Sequence, residues 1–380
     1  MKEKLKTAIV GVGKVTDIHA AALSRLVESE FTAVCSSKRE KAEAFAGKYK
    51  IKGYTDVSEM VQKEGVDVVV ICTPHPFHKE PAVAAMEAGT HVLIEKPFAS
   101  TLEDCDAMLE AAEKYNRQIG VICQRRWYKP VQRVKYAIDS GKIGRPVFAT
   151  VNMLGWRDEK YYNSDPWRGS WKDEGGGVLV NQAPHQLDLL QWFMGEIDEL
   201  YGIWSNLNHP YIEVEDTAVA IIRFRSGAIG NIIVSNSMKP GIYGKVHVHG
   251  ENGASVGVQT DGGAMFVAGM SNILEPPVND LWTIPGEENL LKDFIKEDSD
   301  FFLSLKNPVE YFHERQIEDF LQAIIDDRKP LITGRDGRVT VEIFTAVYRS
   351  TRDHTPVKWP LFPENRTDMD GRLTGNPEGE

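Results

Sequence analysis

Over the first third of the chain, short apolar runs alternate with stretches of helical periodicity, and the alternation changes character near Trp127. Strand-like runs fall at Thr7 to Val10, Phe31 to Cys35, Val66 to Cys72, His91 to Glu95 and Ile119 to Cys123. Helical patterns between them begin at about Thr16 and cover Lys41 to Tyr49, Lys79 to Ala88 and Leu102 to Tyr115. Strand and helix in repeated order specify a parallel, doubly wound sheet, and near-continuous Val and Ile mean burial on both strand faces. Beyond Trp127 a helix over Val131 to Ser140 and a turn at Gly141 to Gly144 lead into longer strands: Val147 to Leu154, Ala218 to Phe224, Ala228 to Val234 and Lys245 to Gly250. Arg225-Ser226-Gly227-Ala228 joins two of them as a hairpin. This half therefore reads as an α+β domain with a mostly antiparallel sheet and helices on one face. Helical periodicity returns at Glu314 to Asp326 and Arg338 to Thr351, expected against the first domain or the back of the sheet. The expected division is 1–127, 128–363, and a mobile polar tail at 364–380 rich in Gly, Pro and Asn.

Composition narrows the function classes. At 380 residues with 42% apolar residues the chain can bury two cores. Its 44 Lys and Arg against 55 Asp and Glu give a net charge of -11 without a basic run, which argues against nucleic acid and anionic lipid as partners. Absence of a long apolar stretch or a signal-peptide pattern at Met1 to Leu5 leads to an expected cytoplasmic location. Cys35, Cys72, Cys105 and Cys123 show no C-x-x-C spacing and read as structural thiols.

Four stretches carry candidate chemistry. Gly11-Val12-Gly13-Lys14-Val15-Thr16 follows a strand and opens a helix, the context of a dinucleotide-binding Rossmann turn: Gly11 permits the tight turn, and Gly13 lets backbone approach pyrophosphate. The helix start at Lys14 and Val15 would hold the anion. Thr16 stands where Gly or Ala is usual, its hydroxyl able to cap the helix or meet a phosphate; a plain structural turn is the competing reading. At the end of the second strand, Ser36-Ser37-Lys38-Arg39 offers hydroxyls and cations in place of the acid that holds an adenosine ribose, so NADP is admitted beside NAD. Lys96 in His91-Val92-Leu93-Ile94-Glu95-Lys96-Pro97 ends a strand at the edge where parallel sheets bind ligands, against the bland alternative of a solvated lysine. Finally, Glu174-Gly175-Gly176-Gly177 leads to Asn181, His185 and Asp188, spaced by four and three so that one helix would place them on one face; Pro184 argues for a kink or helix start nearby.

Gly11-x-Gly13 with His19 downstream, Thr73-Pro74 and His78, Glu95-Lys96-Pro97, and Gly176-Gly177 ahead of Asn181-x-x-x-His185-x-x-Asp188 together resemble the Gfo/Idh/MocA oxidoreductases over nearly the whole length. The resemblance implies a dinucleotide across the first domain and a sugar or cyclitol between nicotinamide and an open antiparallel sheet. It also implies a homodimer or homotetramer through that sheet's outer face. Lys96 would then bond the reacting hydroxyl, and His185 would take its proton, aided by Asn181 where many relatives carry Asp; an ordinary imidazole suits that exchange. Thr73, Pro74, His75, His78, Glu95 and Gln124 would contact the cofactor, and Arg125 the substrate. No acid or cysteine cluster completes a tetrahedral set around His75 and His78, so no metal is expected. The aromatic stretch with interleaved arginines, including Trp156, Arg157, Trp167 and Arg168, would pack a sugar ring and bond its hydroxyls, or else pack the loop or a subunit interface. The implied activity is an NAD(P)-dependent dehydrogenase of a sugar, glycoside or cyclitol. Competing readings are a glycoside-cleaving enzyme that retains NAD for transient oxidation, and a dinucleotide-binding regulator without turnover.

Overall fold

A computed structural model describes residues 4–260 and 275–373, divided into two compact units: 4–124 with 307–338, and 125–306 with the C-terminal part from 339. In the first unit six parallel strands, β1 (Leu5–Val10), β2 (Ser29–Cys35), β3 (Lys52–Tyr54), β4 (Val68–Ile71), β5 (His91–Ile94) and β6 (Ile119–Val121), stand in the order β3-β2-β1-β4-β5-β6. Helices α1 (Thr16–Arg25), α2 (Arg39–Tyr49), α3 (Val57–Glu64), α4 (Lys79–Glu87) and α5 (Leu102–Lys114) connect them. The order reverses at β1, and β4 leaves on its other side, which makes a crevice at the carboxyl ends of these two strands. Fully buried Val68, Val70, Ile9 and Val34 account for the apolar runs.

The segment 307–338, assigned from its sequence to the second domain, belongs to the first. Helix α10 (Pro308–Ile325), numbered after α6 to α9 given below, puts Ile317, Phe320 and Leu321 into the core with Leu23, Val70 and Leu93. Gln316 fixes its register: its amide donates to Val121 O at 2.7 Å, and its carbonyl accepts from Cys123 N at 2.8 Å. A buried amide satisfied twice on one strand edge holds the helix to that sheet more firmly than chain order predicts.

The second unit is an eight-stranded sheet: β7 (Pro146–Trp156), β8 (Ile197–Ser205), β9 (Thr217–Phe224), β10 (Ile229–Ser235), β11 (Ser237–Gly250), β12 (Ser255–Gln259), β13 (Val278–Trp282) and β14 (Val357–Lys358). Its order is β13-β12-β11-β7-β10-β9-β8-β14, antiparallel throughout except for the β10/β7 pair. Helices α6 (Lys129–Asp139) and α8 (Pro184–Met194) lie against β12, β11 and β7 on one face. A short α7 (Glu159–Tyr162) follows β7, α9 (Leu291–Ser304) follows β13, and α11 (Gly334–Asp353) runs from the first unit into the second. On β9 buried and exposed residues alternate, leaving Val219 and Ile221 outward.

The expected mobile tail is docked where it is described. Arg349 donates to Asp370 Oδ1 from both Nε and Nη2 at 2.9 and 2.6 Å, Arg352 pairs with Glu364, and Arg372 is buried. Its polar residues are ion-pair partners of α11, which composition alone reads as solvation. Residues 374–380 lie outside the described part. No described helix is long and apolar enough to cross a membrane.

Candidate active site

At the carboxyl edge of the parallel sheet, β1 turns at Gly11 with φ +101°, and a Cβ there would sit 2.7 Å from the Cys72 carbonyl carbon and Thr73 N. Only glycine fits. Gly13 has open space: the nearest atom to its Cβ position is Cys72 O at 4.0 Å. The Thr16 hydroxyl neither caps a free helix end nor faces a ligand; buried, it accepts from Gly13 N at 2.8 Å and donates to Gly11 O at 3.1 Å, closing the turn on itself. That supplies the rigidity a third glycine gives by close packing, and it corrects the phosphate role. Helix α1 begins at Thr16 with Val15 at its N-cap and no side-chain cap. Tight turn, open glycine face and uncapped helix start together fit a pyrophosphate. Beside it, Gly11 N donates to Cys35 O at 2.9 Å, and Ser36 is buried while Ser37, Lys38 and Arg39 are exposed.

After β4, Thr73 and Pro74 lead into the turn His75–Phe77. His78 is buried with Nε2 2.9 Å from Thr73 O and Nδ1 3.2 Å from Phe98 O, so it ties two strand-end loops together, and burial lowers its pKa. Both ring nitrogens are thus committed to backbone carbonyls, so His78 has no ring nitrogen left to bond a cofactor. Glu95 is likewise turned inward: Oε1 lies 2.6 Å from His19 Nε2, and Oε2 accepts from Lys96 N at 3.1 Å. Burial would raise this carboxyl, but the His19 bond and the charges of His19, His313 and Lys96 outweigh it and hold it at about 2. Burial also opposes charge on His19, yet its pKa is raised to about 10 by Cys72 and Glu95. Because burial raises the Cys72 thiol, Glu95 is the partner that matters at neutral pH. His313 donates from Nδ1 to Val309 O at 2.7 Å and is pushed down to about 4 by burial. Among the described residues, His19, Glu95 and His313 form a group whose ligand atoms lie within 4.8 Å of one another, which sequence reading missed. The 2.6 Å contact makes it an ion pair with a neutral histidine alongside. Lys96 follows, half-buried, at the same sheet edge as Gly11, and its peptide bond to Pro97 is cis.

In the second unit the run Gly175 to Gly177 is gripped by a residue from another loop. A Cβ on Gly177 would run into the Glu215 carbonyl oxygen. Glu215 is buried; its carboxyl accepts from Gly177 N at 2.8 Å, Leu179 N at 3.0 Å and Tyr348 Oη at 3.0 Å, and its carbonyl from Val178 N at 3.1 Å. Glu174 is buried too, accepting from Gly169 N at 2.6 Å and from the Asn181 amide at 2.5 Å. Burial pushes both carboxyls up to about 7 against these bonds. The Tyr161 hydroxyl, near the Asn181 amide, accepts from Arg168 at 2.6 Å and Gln182 at 2.8 Å.

Asn181, His185 and Asp188 do not share one α-helix. Asn181 sits in a wide π turn, Val178–Gln182, and α8 starts at Pro184, whose missing N–H is tolerated at a first position. His185 is the next residue, buried, and Asp188 a turn later accepts from Arg126 Nε at 2.9 Å and Nη2 at 2.6 Å. Arg125 donates to Thr260 Oγ1 at 2.9 Å, as does Gln186; Gln124 ends the first of the two segments of the first unit. Trp156 ends β7 and Arg157 follows it, and the Arg168 guanidinium lies 4.3 Å from the Tyr161 ring centroid and 4.4 Å from that of Trp167. Glu174 and Glu215 had no sequence assignment, the one available signal being an acid directly before three glycines, and Tyr161 was read only as part of the aromatic stretch.

Residues 5–123 match an oxidoreductase family with an NAD-binding Rossmann fold, and residues 131–256 match the GFO/IDH/MocA C-terminal domain. The chain is 25% identical over 364 residues to the myo-inositol 2-dehydrogenase of Thermotoga maritima, covering 93% of this chain and 98% of that protein. It is 31% identical over 229 residues to the inositol 2-dehydrogenase of Salmonella typhimurium, covering 57% of this chain and 65% of the relative. Among solved structures it resembles the WlbA dehydrogenase of Bordetella pertussis in complex with NADH and UDP-GlcNAcA, with a TM-score of 0.78, 29% identity, and coverage of 94% of this chain and 100% of that one. The chain belongs to the GFO/IDH/MocA family of oxidoreductases, and residues 5–123 are that family's NAD-binding Rossmann fold.

Proposed function

We propose that this chain transfers a hydride between a ring carbon bearing a hydroxyl, on a sugar, glycoside or cyclitol, and a nicotinamide cofactor. Bound nicotinamide supplies the hydride acceptor. Lys96 donates a hydrogen bond to the reacting hydroxyl, and His185 takes its proton. The observation that carries this reading is the inward-turned Glu95: with His19 as its partner it remains a buried carboxylate beside Lys96, at the same sheet edge as the Gly11 turn. Asn181 takes part as a positioning group, its amide anchored on Glu174. Relatives named as inositol dehydrogenases support the substrate class.

Exposed Lys38 and Arg39 beside Ser36 support use of NADP as well as NAD, and matched binding titrations decide between them. We place a homo-oligomer contact on the outer sheet face, where Ile203, Val219, Ile221 and Ile229 are 47 to 63% exposed. The activity test is absorbance at 340 nm with NAD or NADP against a panel of cyclitols, free sugars, glycosides and nucleotide sugars. Reduction with at least one member is expected. Absence of reduction across the panel, in protein that binds the cofactor, removes the dehydrogenase reading.

A further inference from the structure

Arg157 is a buried cation without a carboxylate. Its backbone is fixed on both sides, the N–H donating to Asn236 O at 3.1 Å and the carbonyl accepting from His209 Nε2 at 2.7 Å; His209 is in turn held by Asp216 at 2.7 Å. The residue is 8% exposed. Its guanidinium donates to Trp156 O at 3.0 Å and lies 5.5 Å from the Tyr161 ring centroid, while its Nε has no hydrogen-bond acceptor. No described carboxylate lies within ion-pair distance of it, whereas buried Arg126 and Arg349 of the same unit each hold an aspartate. A guanidinium cannot shed its charge at accessible pH, and taking it out of water unpaired costs several kcal/mol. A fold carries such a cost where a ligand supplies the missing charge.

The surroundings reinforce the sign. Arg168 overlies the same Tyr161 ring, and exposed Lys239 stands with Nζ 4.5 Å from the Trp156 ring centroid. The Trp156 indole N–H is buried with no acceptor. Arg168 is balanced by Asp165, at 3.1 Å, and Arg157 is not. Through Tyr161 this basic patch connects to Gln182 and Asn181 in the π turn, so an anion bound there lies next to the groups assigned to turnover.

We propose that Arg157 anchors an oxyanion of the substrate, making this enzyme selective for sugars that bear a carboxylate or phosphate over neutral sugars and cyclitols. Planar guanidinium matches either oxyanion in bidentate fashion. The proposal rests on the dehydrogenase reading for the identity of the ring, but its test reads binding alone, so the two fail separately.

The experiment is calorimetric titration of the full chain, loaded with NAD, with matched pairs: glucuronate against glucose, UDP-glucuronate against UDP-glucose, and glucose 6-phosphate against glucose. At least one anionic member is expected to bind tenfold or more tightly than its neutral partner, and the pair that discriminates identifies carboxylate or phosphate. Arg157→Gln should reduce that ratio to within about twofold of unity, and Lys239→Gln, at an exposed position that does not threaten folding, should reduce it in part. Arg157→Met should melt at or above the wild-type temperature, which a structural arginine would not allow. Equal binding within every pair, no measurable binding of any member, or a preference that survives Arg157→Gln at full size overturns the proposal.

Discussion

Asp188→Asn separates a structural from a chemical role for an acid one turn beyond His185. Asp188 and Arg126 are each 1% exposed and joined by two charge-assisted bonds of 2.9 and 2.6 Å; Arg126 also lies 4.9 Å from the Trp192 ring centroid. An asparagine keeps one acceptor and turns an N–H donor toward the other guanidinium donor, leaving a buried cation half satisfied. Breaking one partner of a buried pair costs about 3 to 5 kcal/mol. In a unit of this size each kcal/mol moves the melting temperature by roughly 2 to 4 °C, so a fall of roughly 6 to 20 °C is expected by differential scanning calorimetry. The double variant Arg126→Met with Asp188→Leu should recover most of the loss, because both charges leave together. An Asp188→Asn variant melting within a degree of wild type would falsify the clamp, and a turnover defect without that fall would return Asp188 to the chemistry.

The buried carboxyls give a pH signature: Glu174 and Glu215 stay protonated in the folded chain up to about 7, against an ordinary glutamate value of 4.5, so their contribution to stability is complete below 4.5 and lost as pH rises through 7. At 1.36 kcal/mol per unit the loss is roughly 3 kcal/mol per carboxyl, and the double variant to glutamine should show a flatter melting curve from pH 5 to 9; matching curves refute it. Glu95 runs the other way, its folded pKa depressed to about 2, so its contribution is present above 4.5 and lost as pH falls toward 2. Glu95→Gln should cost about 1 to 3 kcal/mol at pH 7 in urea titration, with His19 released from its raised pKa, which histidine NMR shifts would report. Gly11→Ala combines φ +101° with a 2.7 Å overlap and should cost at least about 1 to 3 kcal/mol and abolish NAD quenching of tryptophan fluorescence, whereas unaltered NAD affinity contradicts the turn's role.

Sequence pattern revealed the parallel sheet because its strands are buried on both faces, and Val68–Ile71 or Val92 to Ile94 stand out as unbroken apolar runs. Gly11 and Lys96 were legible for a related reason: both sit where such runs end. Glu174 stood in plain view before Gly175, but its importance comes from a bond to Asn181 in a π turn, which has no periodic signature. Glu215 grips Gly177 from 38 residues away, and nothing local marks it. The helical period of α10 was readable while its partner was left between the first domain and the back of the sheet, because the choice is made by Gln316 across 193 residues with two hydrogen bonds. Docking of 364–373 was missed because composition treats charged residues as solvated, and the arginines of α11 supply their partners instead.

The central claim is that a carbon-bound hydrogen of a ring alcohol moves directly to nicotinamide. With a substrate found by the absorbance panel and deuterated at the reacting carbon, mass spectrometry of the reduced cofactor should show one deuterium per turnover, and Lys96→Ala and His185→Ala should each slow that transfer by about a hundredfold or more. Reduced cofactor without deuterium, or full transfer rates in both variants, would contradict the account.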